Sequence, residues 1–557
     1  MPPHPLKIAI VALTALCLLG LFATEIADTD FWWHLKTGQY LVERRSLPVP
    51  DPFAFTTAAS APAYAGEEQV RRFNLTHEWL AQVGIYTVYA LGGFPAVVLV
   101  RALLLACVCG LAGFLSGRLS GNFYAGIAAA FATASVAVEF GADRPALATF
   151  LLVAVFVCLL ELHRAVWALP PLALLWANCH SGFFLGWLVL AAYCIGTRRL
   201  WLAAAGAIAV SGLNPNGFGV LSTLLAYRKS QMTADLLEWR PPLLWGPPYG
   251  FDLLFYAAVV VLALSWRKVR VAHWILFVGF TAASWMAFRN ILLMGFLAPV
   301  LIGAYFPFEM RMPRLAPLAV LAALTAGVVA GVTQGRFFQL RAAEWTTPAG
   351  AADYLLANHV SGPMFNTYEQ GGYLIWRLWP QQRVFIDGRA LSESVYRDYR
   401  QILFNDGSAA DQVMGPRASL LDRYGVQVVA INTLDYASGA LYPLALALAN
   451  PVSDEWQLVY DDAQAVVFVR HPPAGTLVLA NKLGRILRHL NTECEAYIEH
   501  SPDNAFCART LADYWLRNQA AGPARRMLRL YLQHARKPDP QAQRALQDLG
   551  AGTAPAK

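Results

Sequence analysis

Charge is scarce in this sequence. Asp, Glu, Lys and Arg make up 14% of its 557 residues, while 57% are hydrophobic. A water-soluble domain carries about 25% charged residues, so an ordinary soluble globular protein is excluded. The charges that exist avoid a series of apolar runs between Ile8 and Val332; after Gln334 the texture becomes ordinary mixed sequence. A membrane span needs roughly 20 predominantly apolar residues, fewer where neighbours bury it. On that measure spans fall near Lys7–Ala23, Phe94–Ser116, Gly121–Val138, Pro145–Leu162, Val166–Asn178, Phe183–Ile195, Leu200–Leu213, Phe251–Trp266, Val271–Phe288, Ile291–Phe306 and Leu315–Val332. The expected fold is therefore a polytopic α-helical membrane protein of about eleven spans. The three stretches between Val166 and Leu213 are short enough to be half-helices.

Other features are missing too. No good small-x-small cleavage site follows the first apolar stretch, which reads as an uncleaved anchor rather than a signal peptide. Few charges lie inside the spans and no internal repeat is evident. Both weigh against a transporter or flippase, which calls for ionisable residues near mid-membrane and inverted repeats. Cysteine is sparse, and six of the eight (Cys17, Cys107, Cys109, Cys158, Cys179, Cys194) sit in apolar segments as small packing residues. Cys494 and Cys507 lie in the polar C-terminal region. They are either a disulfide, if that compartment is oxidising, or two free thiols.

Charge sets the orientation. Lys7, Arg118, His163, Arg164, Arg198, Arg199, Arg267, Lys268, Arg270, Arg311 and Arg314 fall in alternate connections. The other connections hold Asp28, Asp30, Asp51, Glu67, Glu68, Glu78, Glu139, Asp143 and Glu238. Positive charge stays inside, which places the N-terminus in the cytoplasm and the acidic loops outside. An odd number of spans sends the C-terminal region outside as well. The expected location is a bacterial inner membrane, with a periplasmic C-terminal domain. The net charge of +7 is split by the membrane and is no nucleic-acid signal.

The acidic connections carry the chemistry. The first outer loop, 25–82, opens Asp28-Thr29-Asp30-Phe31-Trp32-Trp33-His34 and ends Thr76-His77-Glu78-Trp79-Leu80. The tryptophans suit a bilayer interface. Asp28 serves either as a helix cap or as a site residue, since a carboxylate beside a span needs a compensating cation, donor or proton. Asp30 and His34 are one helical turn apart, a spacing for a metal or general-base pair. Further on come Glu139, Asp143 and Arg144, then His180 after Asn178, then Glu238 with Arg240, then Arg289. Each alone is ordinary helix-end chemistry. Together they place carboxylates, imidazoles and guanidiniums on one side, as an anionic lipid headgroup with a bound cation would require. Arginine suits phosphate because its fork binds two oxygens at once.

The run Asp28-Thr29-Asp30-Phe31-Trp32-Trp33-His34-Leu35-Lys36-Thr37-Gly38, followed by Asp51-Pro52-Phe53, resembles the first outer loop of oligosaccharyltransferase catalytic subunits. More broadly it resembles the GT-C fold of polyprenyl-lipid-dependent glycosyltransferases. The layout is also similar to that of a group of bacterial membrane proteins. The resemblance implies a catalytic or metal-binding Asp30 after the first span and a second acidic motif at Glu139 and Asp143. With Asp30 these would hold magnesium or manganese, oxygen-loving cations, and no organic cofactor. Arg144, Arg240, Arg289 and His180 are the donor-phosphate candidates. Phe365-Asn366-Thr367-Tyr368-Glu369-Gln370-Gly371-Gly372-Tyr373 stands where the family has its WWDYG acceptor segment. That motif itself is absent, with Tyr368, Glu369, Gly371 and Gly372 in its place, so the acceptor is a glycan, a lipid or a protein. The implied partners are membrane lipid and a polyprenyl-linked sugar donor.

The expected domains are a transmembrane domain 1–335, a mixed α/β domain 336–475, a tetratricopeptide-like helical hairpin 476–549 and a disordered tail 550–557. In the α/β part, helices are expected at Ala349–Asn358 and Ser392–Leu403, short strands at Val384–Ile386 and Val426–Ile431, and a hairpin around Asp461-Asp462-Ala463. Gly371-Gly372 is either a close-approach site for an acceptor or a plain turn. The helical hairpin suits docking of an envelope protein. The rival reading it favours is a non-catalytic assembly protein of an envelope polysaccharide complex.

Overall fold

Each apolar stretch read as a span falls on a helix. In chain order the helices are α1 (His4–Phe22), α2 (Phe31–Arg44), α3 (Glu67–Thr76), α4 (Trp79–Ser120), α5 (Phe123–Ala137), α6 (Ala146–Glu161), α7 (Leu169–Cys179), α8 (Phe184–Cys194), α9 (Trp201–Ser211), α10 (Val220–Tyr227), α11 (Gln231–Asp235), α12 (Tyr249–Leu264), α13 (Val271–Met286), α14 (Ile291–Tyr305) and α15 (Ala316–Thr333). The structure is a computed structural model that describes residues 4–57, 60–195, 197–243, 245–246, 249–308, 313–404, 420–452 and 454–551. Arg311 and residues 552–557 lie outside the described residues, while Gly550 and Ala551 of the tail expected over 550–557 end a helix. Among the described residues, five helical stretches, those of α1, α4, α5, α14 and α15, are long and apolar enough to cross a membrane, and five more are apolar but shorter. At 1.5 Å per residue the 11-residue helices α7, α8 and α9 are about half a bilayer long.

The chain folds as two units, Met1–Val49 with Tyr64–Ala342, and Pro50–Ala63 with Ala343–Lys557. The boundary expected at 335/336 falls at 342/343. The helical region 476–549 does not stand apart from the α/β part, and a piece of the first loop joins the second unit.

In the first unit, α4 breaks where the span was expected to begin. Gly92 and Gly93 leave helical geometry, Gly93 at φ 63°, ψ −158°, and Pro95 follows. Only glycine adopts that conformation without strain, and proline has no N–H to continue the ladder. α5 restarts at Asn122, whose side chain accepts from Tyr124 N (2.9 Å) and Ala125 N (3.3 Å). α4 and α5 approach closely where a Cβ on Gly113 would lie 2.7 Å from the Gly126 carbonyl oxygen. α14 is apolar all round and buried from Ile291 to Leu301 among α4, α5, α12 and α13. α15 packs on α1 around Ile10, Cys17 and Leu324, and exposes Leu318, Val329 and Val332.

The second unit has the helices α16 (Ala349–Ala357), α17 (Tyr368–Leu378) and α18 (Glu393–Phe404). Its sheet is built from β1 (Met364–Asn366), β2 (Val428–Ile431), β3 (Gln457–Asp461) and β4 (Val466–Val469), in the order β1-β2-β4-β3. β1 and β2 are parallel, and the other pairs are antiparallel. The β3–β4 hairpin turns on Asp462, which accepts from Gln464 N (2.8 Å) and Ala465 N (2.9 Å).

Val384–Ile386, expected as a strand, joins no sheet; Val384 makes an isolated parallel bridge with Ala54 of the segment Pro50–Ala63. That segment is anchored by Asp51, buried against Arg389 (Nη1 to Oδ1 2.7 Å), which also pairs with Asp387 (Nε to Oδ1 2.6 Å). Thr56 Oγ1 donates to Phe385 O at 2.6 Å, and Trp379 Nε1 to Pro52 O at 3.1 Å. The tail has four helices among the described residues, Lys482–His500, Phe506–Arg517, Ala521–His534 and Pro540–Ala551, where a hairpin was expected. Cys494 and Cys507 are bonded, Cα to Cα 5.8 Å, across the first two. Glu493 ties this region to the sheet by accepting from Thr433 N at 2.9 Å.

Candidate active site

Asp30 stands at the N-cap of α2, yet its side chain does not cap the helix. It accepts instead from Trp33 Nε1 (3.1 Å) and pairs with Arg144 Nη2 (3.0 Å). Arg144, in the connection between α5 and α6, also grips Asp28 with two bonds, Nε to Oδ2 at 2.5 Å and Nη2 to Oδ1 at 2.7 Å. Its remaining terminal nitrogen, Nη1, donates to Glu238 Oε2 at 3.1 Å. The other oxygen of Glu238 accepts from Arg289 Nη1 at 3.2 Å, and Arg289 lies over the Trp239 ring at 5.0 Å. Three carboxylates and two guanidiniums from four connections therefore form one network.

Burial works against the charges of Asp28, Asp30 and Arg144. It opposes ionisation of Asp28, but the charge and hydrogen bonds of Arg144 outweigh it and hold that carboxyl below its usual range. For Asp30 burial prevails over Arg144, and the charges of Asp28 and Glu238 add to it, so its pKa rises to about 7. Arg144 itself is held well above its ordinary value, its carboxylate partners outweighing its burial. Of the three, Asp30 is therefore the group whose charge changes nearest neutral pH.

A second polar cluster lies at the start of α4. Glu78 faces three imidazoles: His77 Nε2 at 3.3 Å, His34 Nδ1 at 3.6 Å and His180 Nε2 at 3.7 Å. Burial opposes the Glu78 charge, but attraction to His77 and a hydrogen bond from it, with smaller contributions from His34 and His180, outweigh it and hold that carboxyl below its usual range. Burial pushes His34 down to about 4 and His180 to about 3, despite Glu78. Gly182 N donates to His180 Nδ1 at 3.1 Å, which leaves the His180 proton on Nε2, facing Glu78.

Some expected residues meet and others do not. Asp28, Asp30, Arg144 and Arg289 meet. His34 turns to Glu78 and Gln82 rather than sharing a site with Asp30. His180 belongs to the Glu78 cluster, not with the arginines. The Arg240 side chain is exposed, and its carbonyl accepts from Phe288 N at 2.8 Å. Asp143 is buried against Arg101 of α4 (2.6 Å), whose guanidinium also donates to the Gly141 carbonyl at 2.6 Å and to that of Thr24. Burial pushes Asp143 up to about 7 despite Arg101. Glu139 is exposed on a short 3-10 turn.

The set Asp30, Glu139 and Asp143 is therefore not assembled. Among the described residues no group of three or more His, Cys, Asp or Glu is arranged to hold a metal ion. Asp30 and Asp143 are engaged by different guanidiniums and Glu139 stands apart on the exposed turn, so the donor set does not fit a cation as it stands. Glu78 and Glu238 were not singled out as site residues. Each sits in an acidic connection between apolar helices, but nothing local marks which partner it meets.

In the second unit the expected acceptor segment is a strand end and a helix, not a turn. Gly371 lies inside α17, and a Cβ there would come within 2.2 Å of the Ile386 carbonyl oxygen, so this glycine is needed for internal packing. Gly372 is buried in the same helix. Tyr368 donates its hydroxyl to Gly388 O at 3.1 Å. Burial raises Glu369 to about 7, with the Tyr442 hydroxyl 3.5 Å from its Oε1.

No family model matches the sequence, and no curated protein matches it. Among solved structures the chain is similar to the archaeal oligosaccharyltransferase AglB from Archaeoglobus fulgidus, solved in complex with an inhibitory peptide and a dolichol-phosphate. The match covers 95% of this chain and 86% of that one, with a TM-score of 0.52 at 10% identity. Such a likeness speaks for architecture alone. The chain is a membrane protein with the GT-C type of fold seen in an oligosaccharyltransferase.

Proposed function

We propose that this chain is an integral-membrane glycosyltransferase. It moves a sugar from a polyprenyl-phosphate or pyrophosphate donor to an acceptor on the periplasmic face of a bacterial inner membrane. The observation that carries the reading is the network in which Arg144 gathers Asp28 and Asp30 at the head of α2, with Arg289 beside it, within a GT-C type fold. The acceptor hydroxyl attacks the anomeric carbon. Its oxygen forms the new bond as the carbon–oxygen bond to phosphate breaks, and the electron pair departs on the phosphate. Asp30 takes the hydroxyl proton. Arg144 and Arg289 hold the charge that develops on the phosphate. A single displacement inverts the anomeric centre. Because the donor set does not fit magnesium or manganese, no step is routed through a metal.

The test is sugar transfer by the purified protein from a panel of polyprenyl-linked donors, for wild type and Asp30→Asn, with and without EDTA. Transfer is expected to fall by roughly 10²-fold or more in the variant, the scale of a lost general base. It is expected to survive the chelator. Silence from every donor would sink the proposal. One observation favours the rival, a non-catalytic assembly role. Arg525, Arg526 and Arg529 line one groove of the tetratricopeptide-like tail, a surface suited to an acidic envelope protein.

A further inference from the structure

We infer that Glu238 is a built-in occupant of a phosphate subsite formed by Arg144 and Arg289, and that an incoming phosphoryl group displaces it. The inference rests on the function proposed above and names how that site is kept closed. Glu238 gives one oxygen to each guanidinium, Oε2 to Arg144 Nη1 and Oε1 to Arg289 Nη1. The O–C–O bite of a carboxylate is close to the O–P–O bite of a phosphate, so two arginines spaced for one suit the other. Arg144 has already committed Nε and Nη2 to Asp28 and Asp30. Nη1 is what it has left for a ligand, and Glu238 holds it.

Access and anchoring agree with this. The Glu238 side chain is 34% exposed and both arginines 28%, against 10% for Asp28. Glu238 therefore closes the open side of the network, while Asp28 lies at its base. A half-exposed ion pair is weak, whereas phosphate on two guanidiniums forms several charge-assisted bonds. The backbone around Glu238 is pinned independently: Arg240 O accepts from Phe288 N at 2.8 Å, and Trp239 stacks on Arg289. The carboxylate can thus swing aside while the turn stays docked.

The experiment measures binding of a polyprenyl monophosphate to the full-length protein in detergent, for wild type, Glu238→Gln, Arg289→Met and the double variant. Thermal unfolding checks that each is folded. Inorganic phosphate is run as a competitor. Removing the occupant should tighten lipid binding roughly two- to thirtyfold, the equivalent of the two partly exposed ion pairs given up. Arg289→Met should weaken binding in both backgrounds and abolish the gain. Competition by inorganic phosphate in Glu238→Gln would assign the subsite to phosphate as such; its absence would assign it to the lipid-borne group. Wild-type binding that Glu238→Gln leaves unchanged or weakens would overturn the inference and spare the proposed function. If folded wild type and Glu238→Gln both fail to bind, both readings fall.

Discussion

Asp30 is lifted to about 7 by burial, with Asp28 and Glu238 adding to the shift and Arg144 opposing it. A base must be ionised to accept a proton, so transfer should rise with pH and level off above about 7. Glu238→Gln removes one of the charges that raise this pKa, and the inflection should move to lower pH. A pH–rate profile of the two proteins checks both points, and a profile flat across this range would remove Asp30 as the base. Asp143 shows a different residue-scale logic. Its carboxylate was expected to ligate a metal but compensates Arg101 inside the helical unit. Asp143→Asn leaves the buried Arg101 guanidinium with carbonyl partners but no counter-charge, which costs about 3–5 kcal/mol. A fall in the unfolding temperature larger than that of Asp30→Asn is expected. Equal stability with lost activity would return Asp143 to the catalytic set.

At the scale of elements, the apolar stretches were legible because a helix in an apolar setting satisfies its own backbone groups locally. The kink in α4 was half legible, since the expected span began at Phe94, right after Gly92 and Gly93. Tyr368–Leu378 was not legible as a helix. Gly371-Gly372 left a close-approach site and a plain turn open, and in the structure Gly371 lets α17 lie against the Ile386–Asp387 backbone. Gly371→Ala forces a Cβ into that carbonyl, and overpacking of this kind costs about 1–3 kcal/mol. Thermal unfolding of the full chain should report the loss. Full stability in the variant would show that the helix can shift and that the glycine is free for another role.

At the scale of the whole molecule, the segment Pro50–Ala63 is separated from Arg389 by most of the chain and still folds with it. Asp51 is buried and accepts from Phe53 N (3.0 Å) and Thr57 Oγ1 (3.0 Å) as well as from Arg389. Asp51→Asn keeps the size and removes the charge, so this segment should become cleavable by protease while the membrane helices stay intact. Unchanged resistance would mean that Asp387 alone holds Arg389 and that the segment is secured by Trp379 and Phe385.

By itself the sequence determined the apolar helices, the acidic and basic sorting of their connections, the β3–β4 hairpin and the run that resembles an oligosaccharyltransferase loop. Each is a local pattern, written within one turn, one strand pair or one span. Only the tertiary structure decided that Arg144 takes Asp28, Asp30 and Glu238, that Arg101 takes Asp143, and that His34 turns to Glu78. The reason is physical. A buried charge must find its counter-charge in space, and the cost of leaving it unpaired selects a partner by three-dimensional proximity, which no local periodicity records.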